Sequence, residues 1–125
     1  MEKTLQILVI DDEAIAVKRL KSYLERLNYV VEGYENPQMA LQRIKEKDFD
    51  IVITDVRMNE IDGIEVLSEV RAKSGRTKVI MITGYAMMEL ARQAMEKGAY
   101  DFIAKPFKPE ELLQVVLRAA DALES

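Results

Sequence analysis

Apolar residues along this chain follow two alternating rhythms. Short, nearly continuous runs come first: LQILVI (5–10), YVVEGY (29–34), DIVIT (50–54), KVIMIT (78–83) and the shorter DFIA (101–104). Val and Ile dominate the first four, the composition of strands covered on both faces. Between the runs, apolar residues recur every three or four positions, as on one face of a helix. The predicted inward stripes are Ala16, Leu20, Tyr23, Leu24 and Leu27, then Ala40, Leu41 and Ile44, then Ile64, Leu67 and Val70. Met87, Leu90, Ala91, Ala94 and Met95 make a fourth, and Leu112, Leu113, Val116 and Leu117 a fifth. Asn36 before Pro37 predicts a capped start for the second helix, and Gly98 a left-handed end for the fourth.

Five strands alternating with five helices predict an α/β fold: a doubly wound parallel sheet with right-handed crossovers and helices on both faces, in three layers. Ligands of such sheets bind beyond the carboxyl ends of the strands. Four of the five strands end there in polar residues: Asp11 and Asp12 after the first, Asp55 after the third, Thr83 on the fourth and Lys105 after the fifth. Each has a plain structural alternative. Asp11 or Asp12 alone suits a helix cap, Thr83-Gly84 a turn, and a lone lysine the surface. Together at one sheet edge they form a chemical constellation.

Composition narrows what that constellation holds. The chain has 125 residues, enough for one domain with a sizeable core. It has no cysteine and no histidine, so a metal must be held by oxygen, which points to Mg²⁺, Ca²⁺ or Mn²⁺. A net charge of −4 argues against nucleic acid as a direct partner. No apolar run approaches the length of a membrane helix, and the amino terminus lacks a secretory core, so a cytoplasmic protein is expected. Two carboxylates about 5 Å apart repel by roughly 3 kcal/mol at an effective dielectric constant near 20, so three together call for a cation. Mg²⁺ suits one or two carboxylates and keeps waters that a phosphate can displace. An aspartate can be the nucleophile, with an ammonium and a metal stabilising the transferring phosphoryl charge.

VIDDE, ITDVRM with IDG, MITGYA and GAYDFIAKPF, in that order and spacing, resemble the receiver domain of two-component response regulators. The resemblance covers nearly the whole chain, 1–125, as a single receiver domain. It implies the flavodoxin-like strand order 2-1-3-4-5, and Asp55 as phosphoacceptor. Asp11, Asp12, Asp55 and the backbone carbonyl of Arg57 would hold Mg²⁺, with Mn²⁺ as a substitute. Thr83 would be the switch hydroxyl, Lys105 the phosphate-pairing lysine before a cis Pro106, and Phe102 the switch aromatic. Phe102 stands where tyrosine is common, and Asn59 where many relatives have proline. Arg57 and Tyr85 flank the site and are expected to tune phosphoryl lifetime.

The implied partners are a histidine kinase or phosphotransfer protein, which supplies the phosphoryl group unless a small acyl phosphate does, and a downstream effector domain or protein. A phosphorylation-dependent homodimer is expected through the face of helix four, strand five and helix five. No turnover of a dedicated substrate is expected, only self-phosphorylation and autodephosphorylation. The alternatives are a receiver-like interaction module that is never phosphorylated, and a phosphatase or phosphotransferase with an aspartate nucleophile. Against the second, no further acid stands two residues after Asp55, and the GxxxxGK and GxGxxG loops are absent.

Overall fold

The computed structural model describes residues 4–58, 61–84 and 87–124. Asn59 and Tyr85, singled out above, lie outside the described residues.

The strands are β1 (Gln6–Ile10), β2 (Val30–Tyr34), β3 (Ile51–Asp55), β4 (Lys78–Thr83) and β5 (Asp101–Ala104). The helices are α1 (Ala14–Arg26), α2 (Pro37–Glu46), α3 (Gly63–Lys73), α4 (Met88–Glu96) and α5 (Pro109–Glu124). The strands form one parallel sheet in the order β2-β1-β3-β4-β5. Side chains alternate across it, as a pleat requires. Leu8, Ile10, Val52 and Met81 pack with α2, α3 and α4 on one face. Ile7, Val9, Ile51, Ile53, Ile80 and Ile82 pack with α1 and α5 on the other. The chain reverses its winding between β1 and β3, so the carboxyl ends of those two neighbours open the crevice such sheets use for ligands.

The helix ends follow their local chemistry. The Asn36 side chain accepts from the N–H groups of Gln38 and Met39, and Asp62 caps α3 by accepting from Glu65 N at 2.9 Å. Gly98, with φ of 107°, follows the end of α4, a conformation that glycine adopts at little cost. Asn28, with φ of 71°, does the same after α1.

The helix stripes depart from expectation at their edges. Leu27, Met95 and Leu117 are 38%, 37% and 42% exposed, not inward. Leu27 is the C-cap of α1, where the chain turns away through Asn28. Met95 lies on the solvent side of the Ala91 and Ala94 stripe. In α5 the buried set is Leu112, Val115, Val116 and Ala119, one position round from the predicted face, which leaves Leu117 outside. In α1, Val17 joins Leu24 in the core.

Candidate phosphoryl and metal site

The strand ends bring Asp11, Asp12 and Asp55 together as predicted. One carboxylate oxygen from each lies within 4.8 Å of the others. Asp11 follows β1 directly and is 1% exposed, while Asp55 ends β3 and is 7% exposed. The β1–β3 register, Ile10 beside Thr54, puts them side by side.

Asp11 does not cap α1, but its side chain shapes the turn that leads into that helix. Its Oδ1 accepts from Glu13 N at 2.9 Å and turns the chain into α1; the helix itself starts after Glu13, whose side chain makes no cap. Its Oδ2 is buried without a hydrogen-bond partner. A buried carboxylate oxygen with no hydrogen bond, facing two further acids and offset only by the Lys105 ammonium at 3.5 Å, is unfavourable. Burial pushes the Asp11 carboxyl above the usual carboxylate range; the Glu13 N–H and Lys105 lower it only in part, and Asp55 and Glu13 raise it further. A hard dication with oxygen ligands would relieve all of this, so the donor set and its unmet valence fit such an ion.

Lys105, from the loop after β5, enters from the other side. Its Nζ donates to Asp55 Oδ2 at 2.9 Å and stands 3.5 Å from Asp11 Oδ2. Burial works against the ammonium, but the bond to Asp55 and the charges of Asp55, Asp11 and Glu13 together hold its pKa above the usual lysine range. The Lys105–Pro106 peptide bond is cis, as the resemblance implied. Arg57 N donates to Asp55 Oδ1 at 3.2 Å, while the Arg57 side chain is exposed. Asp12, Glu13, Asp55, Arg57, Gly84 and Lys105 line an open cleft of about 400 Å³, with Met58 and Met87 as its apolar wall.

Thr83 is wholly buried at the end of β4, and its hydroxyl donates to Gly84 O at 3.0 Å. Phe102, beside Met81 in β5, is half-buried against the α4-side core, as are Met87 and Leu90. The residues that the strand-end argument missed are Thr54 and Gly63, which touch the backbone of Asp55. A hydroxyl inside an otherwise aliphatic strand was the available signal for Thr54; Gly63 offered only its place in IDG.

The family model for the response regulator receiver domain matches residues 7–117. The chain belongs to this family. The receiver is 41% identical over 113 residues to the transcriptional regulatory protein ResD of Bacillus subtilis, covering 90% of this chain and 45% of ResD. It is 34% identical over 117 residues to the chemotaxis protein CheY of Listeria monocytogenes, covering 93% of this chain and 98% of CheY. It therefore spans less than half of one curated relative and nearly all of another. A response regulator receiver domain protein from Clostridium thermocellum superposes with a TM-score of 0.91 at 29% identity, covering 96% of this chain and 97% of that one. The five-stranded order is thus that of a two-component receiver, consistent with a phosphorylation-controlled switch, and the strand-end acids form a cluster that could hold a metal ion. Among the described residues, no helix is long and apolar enough to cross a membrane.

Proposed function

We propose that Asp55 accepts a phosphoryl group, from a phosphohistidine on a histidine kinase or phosphotransfer protein or from a small acyl phosphate, and that the transfer switches an output face. The observation that supports this best is the Lys105 ammonium, 2.9 Å from Asp55 Oδ2 and 3.5 Å from Asp11 Oδ2, inside a cluster of three aspartates.

An ionised Asp55 oxygen attacks phosphorus, the bond from phosphorus to the donor's nitrogen or acyl oxygen breaks, and the leaving group takes that electron pair. Where the donor is phosphohistidine, the ring's other nitrogen carries a proton, so that the leaving group departs as neutral imidazole. Asp11, Asp12, Asp55 and the Arg57 carbonyl would hold Mg²⁺, or Mn²⁺ in its place, which supplies positive charge to the phosphoryl oxygens and offsets the carboxylates. Lys105 then exchanges its carboxylate partners for a phosphoryl oxygen, a charge-assisted bond. Thr83 gives up the Gly84 carbonyl for another phosphoryl oxygen, and Phe102 moves into the space this opens. Water attacking the phosphoryl group reverses the state, so turnover is confined to the domain's own modification.

Two packings exchange, and phosphorylation shifts their populations by its differential stabilisation of one. The output face is α4, β5 and α5, where Met88 and Met95 are exposed and Arg118 pairs with Asp101 at 3.3 Å. That face hands the state to an effector domain or protein and supports a phosphorylation-dependent homodimer, with residues 1–125 acting as one cytoplasmic receiver unit.

Acetyl phosphate with Mg²⁺ should add one phosphoryl mass to the intact protein, and Asp55→Asn should abolish it. A chain that takes up no phosphoryl group from any donor would be an inert interaction module. Turnover of many unrelated phosphate esters would make it an enzyme instead.

A further inference from the structure

The peptide joining Asp55 to Val56 is gripped on several sides by groups outside the acidic cluster. Val56 N donates to Ile82 O at 2.9 Å, and Gly63 N braces the next peptide along by donating to Val56 O at 2.7 Å. Thr54 Oγ1 donates to Asp55 O at 3.0 Å. Gly63, the first residue of α3, lies so close that a Cβ there would stand 2.6 Å from Asp55 O and 3.0 Å from Val56 Cα. Its φ is not in the left-handed region that favours glycine, so the small residue is required by space and not by backbone conformation.

Thr54 is odd where it sits. It is wholly buried between Ile53 and Asp55 in a strand of Ile and Val, where valine would fill the same volume without a polar atom to satisfy. Its hydroxyl bonds the carbonyl of the one residue whose side chain carries the chemistry. Without the Thr54 hydroxyl, Asp55 C=O loses this fixed donor. The carboxylate hangs from the same residue, and its two oxygens are set between Lys105 Nζ and Arg57 N. A tilt of the peptide therefore moves both oxygens against partners on other elements.

We propose that Thr54 and Gly63 are positioning residues for phosphoryl acceptance: together they fix the plane of the Asp55–Val56 peptide and so hold the Asp55 carboxylate in line for attack. This rests on Asp55 being the acceptor. Reacting groups must be held to within about 0.5 Å of productive geometry, and a misplacement of about 1 Å can cost on the order of a hundredfold in rate. Losing one restraint of several should cost less than that.

The test follows acetyl phosphate-driven phosphorylation by intact mass at saturating Mg²⁺ across a range of donor concentrations, with folding checked by circular dichroism. Thr54→Val and Gly63→Ala should each lower the maximal transfer rate about tenfold and leave the half-saturating donor concentration nearly unchanged. Thr54→Ser, which keeps the hydroxyl, should stay within about twofold of the parent. An added Cβ at 63 would also lie 2.8 Å from Met81 Cε, so Gly63→Ala is repeated with Met81→Leu, which removes that atom. Persistence of the defect in the double variant supports backbone positioning; recovery would overturn the role given to Gly63. Parent-like maximal rates in folded Thr54→Val would overturn the proposal, and that near-isosteric variant decides if Gly63→Ala fails to fold. A parent chain that takes up no phosphoryl group would overturn the Asp55 assignment and this proposal with it, whereas a phosphorylated parent beside an equally fast Thr54→Val would overturn this proposal alone.

Discussion

Lys105 Nζ lies between two carboxylates from different strands, 2.9 Å from Asp55 Oδ2 and 3.5 Å from Asp11 Oδ2. It is the counter-charge of the bare site and the predicted partner of the transferred phosphoryl group. These roles make opposite demands once Mg²⁺ arrives, because both cations seek the same acids. Lys105→Met should therefore raise Mg²⁺ affinity severalfold, as the competing ammonium is gone, while slowing phosphoryl transfer by at least tenfold. The side chain is 35% exposed, so screening limits the loss of apo stability to about 1 kcal/mol. Isothermal titration with Mg²⁺, beside acetyl phosphate kinetics, checks the two signs. Weaker Mg²⁺ binding in the variant would contradict this account of the site.

The Asp11 carboxylate predicts a trade between stability and function. Before Mg²⁺ binds it is a buried charge beside Asp12 and Asp55, offset only by Lys105 at 3.5 Å. Asp11→Asn removes that repulsion and offers an amide able to donate to a neighbouring carboxylate. The apo protein should gain about 1–2 kcal/mol and lose most of its Mg²⁺ affinity. Urea denaturation with and without Mg²⁺ resolves both effects: Mg²⁺ should stabilise the parent and hardly affect the variant.

A second electrostatic knot lies away from the site, on the β2 edge. Glu32 accepts from Arg43 Nε at 2.7 Å and Nη2 at 3.0 Å, from Lys47 Nζ at 3.1 Å and from the Tyr34 hydroxyl at 3.1 Å. The Arg43 bonds chiefly hold its pKa down at about 2, against an ordinary 4.5; burial opposes them, and Lys47 and Tyr34 add to the lowering. A carboxyl lowered on folding contributes stability that is fully present above pH 4.5 and is lost as pH falls toward 2. Glu32→Gln should cost about 1–2 kcal/mol at neutral pH after screening. The gap to the parent should close through that acid window. Chemical denaturation at a series of pH values measures it, and a gap that widened on acidification would refute the assignment.

The sheet was legible because its strands are near-continuous β-branched runs, and the observed ends fall within a residue of those read from the pattern. The acidic edge was legible for a related reason: Asp11, Asp12, Asp55 and Lys105 stand where such runs stop, and a parallel sheet collects those ends on one edge. Helix faces were less so. Leu113 and Leu117 obey helical spacing as well as Val115 and Ala119 do, and only packing against β3, β4 and β5 chooses between the two sets. Gly63 was hidden for a deeper reason: it nears Asp55 only once the first turn of α3 rests on β3, a tertiary closeness that no local pattern encodes. The Thr54 bond, made to the next residue, showed only as a hydroxyl inside an aliphatic run.

Asp50 was equally hidden, and it provides a test of separation between fold and function. It is 2% exposed just before β3, with Oδ2 accepting from Gln6 N at 2.7 Å and Oδ1 from Arg76 Nη1 at 2.7 Å. It thus ties the starts of β1 and β3 to the chain entering β4. Asp50→Ala leaves the Gln6 N–H without this acceptor and strips Arg76 of a buried partner, which should cost about 2–4 kcal/mol. The acidic cluster stands at the other end of β3, about 16 Å along the strand. Below its melting transition the variant should therefore accept phosphoryl groups at the parental rate and bind Mg²⁺ with parental affinity. Thermal unfolding and phosphorylation kinetics on one preparation check both halves. Slowed transfer in fully folded Asp50→Ala would mean that the sheet carries strain from its amino-terminal edge to the site.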